Sequence, residues 1–173
     1  MKRILAVFIT LFMLVSCSLQ EKVSSEILTE RLCKTDNNIL PDSDLCFHQG
    51  DRSVFYFTYA ELLFFVAELY SDGQGNIKQI NLACDKTDKI DLFVQCVKSF
   101  ENVYVPDENS DEINAVLFKE KKISGNFLFY ETQWYLYSAV LSENGFYFSI
   151  ENKKLSPQTA VELSLKPNDI VEY

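Results

Sequence analysis

The sequence lacks the residue patterns that mark most catalytic and metal sites. It contains one histidine, His48, and no G-x-S-x-G segment that would present a serine nucleophile. Its cysteines include no C-x₂₋₄-C pair of the kind that structural zinc sites use. Internal repeats and low-complexity tracts are absent as well. We therefore expect no catalytic residue set, no metal and no cofactor.

The N-terminal residues carry the most specific pattern in the chain. Lys2 and Arg3 precede an apolar run of 12 residues, from Ile4 to Val15, which is shorter than the roughly 20 residues that a membrane-spanning helix needs. The run ends in the sequence Leu-Val-Ser-Cys at residues 14–17. This ending resembles the lipobox of bacterial lipoprotein signal peptides. An ordinary signal peptide and a short membrane helix are the alternatives.

The lipobox resemblance implies an address in the cell envelope. In that class the signal peptide, here residues 1–16, is removed, and Cys17 receives a diacylglyceryl group and an N-acyl chain. Two or more buried chains anchor a protein stably. Ser18 stands where inner-membrane retention usually needs aspartate, so the resemblance favours the outer membrane; a Gram-positive source would place the protein on the cell membrane instead. Residues 17–25 form a short tether, whose eight residues after Cys17 span at most about 27 Å.

The charge balance excludes one class of partner. The chain has 25 acidic and 16 basic residues, a formal net charge of −9. Removal of residues 1–16 leaves 14 basic residues and a charge of −11. Such a protein is repelled by nucleic acid and attracts basic partners. We therefore expect no nucleic-acid binding, and either a basic protein partner or a charge that only maintains solubility.

Four cysteines remain besides Cys17, namely Cys33, Cys46, Cys84 and Cys96. An extracytoplasmic address is oxidising, so we expect two disulfide bonds. Four cysteines allow three pairings. Pairing of neighbours along the chain would close loops of 13 and 12 residues, each contributing about 3 kcal/mol in the chain-entropy model.

The hydrophobic periodicity predicts a single α+β domain over residues 26–173, with a helical N-terminal half packed on a C-terminal antiparallel β-sheet. Helices are predicted at residues 25–33, 59–70 and 90–101. The second follows a Thr-Tyr-Ala-Glu sequence at residues 58–61 that matches a capping box. Strands are predicted at residues 53–57, 77–83, 113–119, 126–131, 134–141, 145–151 and 160–165, with a hairpin turn at residues 142–145.

Three polar segments are candidate sites. His48, three residues before Asp51, is interpreted as a loop histidine rather than a general base. Residues 72–77 resemble the middle of an EF-hand loop, but Tyr70 and Asn81 stand where its strongest ligands belong, so we predict a helix-to-strand turn. The acidic run at residues 107–112 is interpreted as a solvated loop rather than a cation site.

The aromatic β region offers the best candidate contact surface. Residues 134–141 are apolar on both faces of a strand, which indicates a strand that is sandwiched in the core or presents an aromatic face to a ligand. Tyrosine and tryptophan are enriched at binding hot spots. The candidate partner-contact residues are Tyr130, Trp134, Tyr135, Tyr137 and Tyr147.

These observations favour a membrane-anchored, non-enzymatic lipoprotein that binds another envelope or periplasmic protein. One version is an inhibitor or immunity protein that neutralises a toxin or hydrolase, and the other is an accessory subunit of a secretion or assembly system. The alternatives are an envelope hydrolase with paired carboxylates and a small-ligand carrier with a cavity beneath the aromatic sheet.

Overall fold

The computed structural model describes residues 24–42, 46–85, 88–119, 121 and 123–156. This part of the chain forms one antiparallel sheet of eight strands and three helices. The helices are α1 (Ser25–Thr35), α2 (Ile90–Tyr104) and α3 (Ser110–Leu117). The strands are β1 (Ile39–Pro41), β2 (Phe47–Gln49), β3 (Arg52–Tyr59), β4 (Leu63–Ser71), β5 (Ile77–Cys84), β6 (Phe127–Glu131), β7 (Tyr135–Ser142) and β8 (Gly145–Asn152).

The sheet consists of two meanders joined at its centre. Its order is β1-β3-β4-β5-β8-β7-β6, and β2 pairs with β3 beside β1. Strands β3 to β5 follow one another antiparallel, as do β6 to β8, and β5 pairs with β8. Helices α2 and α3 lie between the two meanders in sequence. The last strand of each meander therefore lies at the centre of the sheet, and the first lies towards an edge.

All three helices pack on one face of this sheet, and the core lies between them and the strands. Phe100 of α2 contacts the rings of Phe57 and Phe65, with centroids 6.1 and 5.9 Å apart. Phe93 of α2 lies 5.6 Å from Phe146 of β8. In β4 and β7 every second residue is buried against the core, as the period of two in a strand requires.

The predicted fold class was wrong in its distribution of elements. Five of the eight strands lie before residue 85, so the N-terminal half is not helical. The main cause is the segment predicted as a helix at 59–70, which is a tight turn followed by β4. Ala60 and Glu61 have φ angles of 51° and 58°, and Leu62 N donates to Tyr59 O at 3.1 Å. Two consecutive positive φ values belong to hairpin turns, so the capping-box interpretation was also wrong.

Most of the other predicted helices and strands are confirmed, and one predicted strand is wrong. The helices at 25–33 and 90–101 and the strands at 53–57, 77–83, 126–131, 134–141 and 145–151 are confirmed to within a few residues. The hairpin at 142–145 is confirmed by the pairing of Ser142 with Gly145. A Cβ atom on residue 145 would lie 2.3 Å from the Cys84 carbonyl oxygen, so this position requires glycine. The strand at 113–119 is instead α3, capped by the Asn109 side chain. The segment at 160–165 lies outside the described residues.

The two predicted disulfide bonds are not formed. Among the residues that the structure describes, no two cysteines lie at bonding distance. Cys33 is on α1, Cys46 lies just before β2, Cys84 ends β5 and Cys96 is fully buried on α2. The spacing of cysteines in the sequence gives the length of the loop that a disulfide would close. It does not say whether the two Cα atoms come within the roughly 7 Å that a disulfide requires.

Candidate functional site

The most unusual surface is the sheet face opposite the helices, which we call the open face. An antiparallel sheet commonly turns polar residues to water on its second face. Here that face carries Phe47, Phe64, Phe127 and Phe129, which are 51, 41, 62 and 50% exposed. Tyr56 and Phe64 stack with their ring centroids 5.9 Å apart. Two hollows lie on this face, and strand residues alone line both of them.

The first hollow, which we call the Glu68 hollow, has a volume of about 590 Å³ and lies over β3, β4 and β5. Its carboxylate is neutralised from within, because the Arg52 guanidinium forms an ion pair with Glu68. The Tyr70 hydroxyl donates to the other Glu68 oxygen at 3.1 Å. Burial and the neighbouring Glu68 raise the pKa of Tyr70, which keeps this donor protonated. Val54, Val66 and Ala83 form its apolar floor.

The second hollow, which we call the Glu151 hollow, has a volume of about 400 Å³ and lies over β5, β8, β7 and β6. Glu151 is only 4% exposed, although its side chain lines the hollow. Beside it Ser149 Oγ donates to Asn81 Oδ1 at 2.9 Å, and Gln79 Nε2 donates to the same oxygen at 2.9 Å. Its residues are Gln79, Phe127, Phe129, Leu136, Ser138, Val140, Tyr147, Ser149 and Glu151.

The five aromatic residues predicted as partner contacts do not share one surface. Tyr147 lies on the open face and lines both hollows. Trp134 is 41% exposed at the β6–β7 turn, and the Lys154 ammonium lies 3.7 Å from its ring centroid. Tyr135 and Tyr137 are 6 and 0% exposed and face the helices. Tyr130 also lies on the helix side, where its hydroxyl donates to Glu112 at 3.0 Å.

The sequence analysis missed the residues that form the open face. Phe127 and Phe129 alternate with Leu128 and Tyr130 along β6, and their rings stack with centroids 6.1 Å apart. The sequence did contain a signal for them. Because side chains alternate between the two faces of a strand, Phe127 and Phe129, two residues apart, had to lie on the same face of β6. The apolar pair Phe64 and Val66 gave no such signal, because β4 is apolar on both faces.

A cysteine, the histidine and a serine form a second polar arrangement at β2. Cys46 Sγ lies 3.2 Å from His48 Nε2, and His48 Nδ1 lies 2.9 Å from Ser53 Oγ. This is the order of a nucleophile, a base and a group that orients the base. Burial and the Glu26 carboxylate, however, raise the pKa of Cys46. These three side chains line neither the Glu68 hollow nor the Glu151 hollow.

A third group, which we call the Glu101 cluster, lies inside the protein. Glu101 of α2 is 0% exposed, and Asn114 Nδ2 of α3 donates to its Oε2. Burial raises the pKa of Glu101 to about 8, which is the behaviour expected of a carboxyl group in a region of low dielectric. Buried catalytic acids have such pKa values. The full enclosure of Glu101 denies a substrate access to it, so the cluster is structural.

Residues 72–77 and 107–112, the two other polar candidate segments, have structural roles. The Asp72 carboxylate accepts hydrogen bonds from the backbone N–H groups of Gln74 and Asn76, both at 2.8 Å. This loop joins β4 to β5, so it is a strand-to-strand turn rather than the predicted helix-to-strand turn. Asp111 and Glu112 of the acidic run lie in the first turn of α3. Their carboxylates interact favourably there with the positive end of the helix dipole.

No family model, curated protein or solved structure matches the chain. Within the described ranges, no group of three or more histidine, cysteine, aspartate or glutamate side chains is placed to hold a metal ion. None of the helices in this part of the chain is long and apolar enough to cross a membrane. The exposed rings and the two hollows of the open face make that face the candidate functional site.

The cysteines provide a first test of this structure. We expect iodoacetamide to label Cys46 in the folded protein and Cys96 only after unfolding, because Cys46 is exposed and Cys96 is 0% exposed. Burial raises the pKa of Cys96 well above its ordinary value, which slows its reaction further. Mass spectrometry of digested protein measures both sites. Equal labelling of both before unfolding, or no labelling of Cys46, would contradict the positions described here.

Proposed function

We propose that the protein is a lipid-anchored, non-enzymatic binding module of the cell envelope, and that the open face of its sheet contacts a partner protein. The observation that carries this proposal is the group of exposed aromatic rings on that face. Large exposed apolar patches with polar groups among them mark interaction surfaces. Aromatic rings are also among the residues that contribute most to binding free energy.

The charge of the chain supports a basic partner. The net charge of −9 creates a field that attracts cationic proteins and speeds their association. An inhibitor of a basic toxin or hydrolase uses this field directly, whereas a subunit of an assembly machine relies more on apolar contact. The net charge of the chain and the exposed aromatic rings together favour the inhibitor, because the charge would speed association with a basic enzyme and the rings would contribute binding free energy.

Two observations place the hydrolase and carrier alternatives behind this proposal. Against the hydrolase, the Glu68 carboxylate is already engaged by the Arg52 guanidinium, whereas a catalytic pair needs both of its carboxyl groups for acid–base or nucleophilic chemistry. For a carrier, both hollows are open to solvent rather than enclosed beneath the sheet.

The proposed function is tested by differential capture from native envelopes. The acylated protein is used as bait beside the variants Phe64→Ser and Phe129→Ser, which remove exposed rings of the open face, and Val116→Ser as the matched control. Val116 is 47% exposed but lies on α3, behind the sheet. We expect a discrete protein whose recovery falls about tenfold with either open-face variant and is unchanged with Val116→Ser. Equal recovery by all baits would contradict the proposal.

The anchor has its own test at Cys17, which lies outside the described residues. We expect Cys17→Ser to abolish acylation and to move the protein from the membrane fraction to the soluble fraction, because the thiol that carries the diacylglyceryl group is lost. Cys46→Ser is the control, since it removes a thiol from the folded part. Fractionation with immunodetection measures the distribution. Membrane association that persists in Cys17→Ser would contradict the proposed anchor.

A further inference from the structure

Strand register brings three polar side chains together where β2 pairs with β3. Cys46 directly precedes β2 and lies two residues before His48, and side chains at that spacing share one side of a strand. Ser53 is the register partner of His48 on β3. The Cys46 Sγ atom lies 3.2 Å from His48 Nε2, and His48 Nδ1 lies 2.9 Å from Ser53 Oγ. The imidazole therefore contacts a thiol with one nitrogen and a hydroxyl with the other.

This arrangement lies on the helix side of the sheet, away from the open face. The rings of His48 and Phe55 meet edge to face, with their centroids 5.6 Å apart, which restricts the orientation of the imidazole. Phe55 lies 6.2 Å from Phe57, a core residue that contacts α2. Cys46 is exposed, so a solute can reach its sulfur. The base is thus held by the sheet, while the thiol beside it is open to solvent.

The three groups have the chemistry of an assisted nucleophile. Burial and the Glu26 carboxylate raise the pKa of Cys46, so at neutral pH the group is a thiol that must lose its proton in order to attack. When Nδ1–H donates to Ser53 Oγ, the neutral imidazole of His48 presents the lone pair of Nε2 to that proton. A thiolate of raised pKa is also the stronger nucleophile once it forms. His48 therefore supplies the base that this thiol requires.

The charge near the thiol selects among the molecules that it could attack. Hydrogen bonds from its own backbone N–H group and from the Ser24 hydroxyl lower the pKa of Glu26, so this carboxylate is ionised at neutral pH. Its negative charge acts on Cys46. The whole chain, with a net charge of −9, adds a field of the same sign. A reactant that carries ammonium groups is attracted to this position, and one that carries carboxylates is repelled.

We propose that Cys46 is a site of S-thiolation, at which its sulfur attacks a small disulfide with cationic arms and His48 acts as the general base. The new bond joins Cys46 Sγ to one sulfur of the disulfide R–S–S–R, whose own S–S bond breaks. The proton of Cys46 passes to His48 Nε2 and then to the departing thiolate. The products are a Cys46–S–S–R mixed disulfide and one R–SH, so the disulfide is the only oxidant. The site does not involve the open face and is independent of the proposed function.

The test measures the rate of thiolation at each cysteine of the full chain in detergent, by acid quenching, digestion and mass spectrometry. The probes are cystamine, which is dicationic, and dithiodiglycolate, which is dianionic. We expect cystamine to modify Cys46 faster than dithiodiglycolate does. His48→Gln should slow the reaction of Cys46 at least about tenfold, as loss of a general base does, and should leave the rate at Cys33 unchanged. An unchanged rate at Cys46 in this variant would overturn the inference.

Further variants separate the roles of the neighbouring residues, and circular dichroism checks that each is folded. Ser53→Ala should slow the reaction of Cys46 severalfold, whereas Ser53→Thr, which keeps the hydroxyl, should preserve it. Equal rates for these two variants would overturn the positioning role of Ser53. Glu26→Gln should reduce the preference for cystamine at least about twofold, and Glu143→Gln in the exposed β7–β8 turn should not. An unchanged preference in Glu26→Gln would overturn the selection by charge.

Discussion

Replacement of Phe65 with alanine is expected to lower the free energy of unfolding by about 3 to 5 kcal/mol. Phe65 is 0% exposed. Its ring stacks on Phe57 with centroids 5.3 Å apart and meets the edge of Phe100 at 5.9 Å. The substitution leaves a cavity at the centre of the core that three elements enclose, and it removes two aromatic contacts. Denaturant unfolding followed by circular dichroism measures the change.

The adjacent residue supplies the matched control. Phe64 has the same side chain but points to the open face, where it is 41% exposed and stacks on Tyr56. Phe64→Ala is therefore expected to cost about 1 kcal/mol or less, mostly from the lost ring contact. The contrast depends on the alternation of a strand, since a helix buried on all sides would place both rings in the core. Comparable losses for the two variants would contradict the assignment of β4 and of the open face.

The same segment shows why sequence patterns fell short for the N-terminal half. Strand β4 carries Leu63, Phe65, Ala67 and Leu69 towards the core, but Phe64 and Val66 make its other face apolar as well. A run that is apolar on both faces has no period, so a strand cannot be distinguished from a buried helix. The apolar second face of β4 made the strand unrecognisable in the sequence, and the same apolar residues make the open face a candidate contact surface.

The sequence predicted α2 correctly because only one side of that helix is apolar. Helix α2 repeats Phe93, Val97 and Phe100 at helical spacing, and its exposed residues lie on the other side. The helix α3 was predicted as a strand because Ile113, Ala115 and Leu117 alternate with polar or exposed residues over a short segment. Only the Asn109 cap and the acidic first turn identify the helix.

The candidate site was predictable only in part. Alternation in residues 146–151 correctly separated Tyr147, Ser149 and Glu151 from the core face. Tyr135 and Tyr137 also belong to an alternating strand, but nothing in the sequence states which of two apolar faces the helices cover. That choice is made by the long-range pairing of β5 with β8, which joins residues about 70 positions apart.

The Glu101 cluster gives the second large effect, because it makes stability depend on pH. The folded protein holds the Glu101 proton up to a pKa of about 8, whereas an unfolded chain releases it near the ordinary glutamate pKa of 4.5. Between these values the folded state binds more protons than the unfolded state. The free energy of unfolding should therefore fall as the pH rises from about 4.5 to 8, by roughly 3 to 5 kcal/mol from this group, and should then level off.

The surroundings of Glu101 explain why only its neutral form fits. Asn114 Nδ2 donates to Glu101 Oε2, and neither Glu101 Oε1 nor Asn114 Oδ1 has a hydrogen-bond partner among the residues that the structure describes. We expect a proton on Oε1 to be donated to Oδ1, which would complete a two-bond acid–amide pair. Lys98 would favour the ionised form, but its Nζ lies 2.7 Å from an Asp111 oxygen, and Asp111 itself opposes ionisation. Tyr137, whose hydroxyl is buried nearby, brings no positive charge.

Glu101→Gln is expected to remove most of this pH dependence. Glutamine can accept from Asn114 Nδ2 and donate to Asn114 Oδ1, so it reproduces the protonated pair at every pH. The variant should match the natural protein near pH 5, within about 1 kcal/mol, and exceed it in stability at pH 8. Glu143→Gln, the same change in the exposed β7–β8 turn, is the control and should preserve the slope.

Urea unfolding at pH 5, 6.5 and 8 measures the free energy of unfolding of each protein. A Glu101→Gln variant with an unchanged slope would show that another group carries the dependence, whereas a flat profile assigns it to one carboxyl between α2, α3 and the sheet.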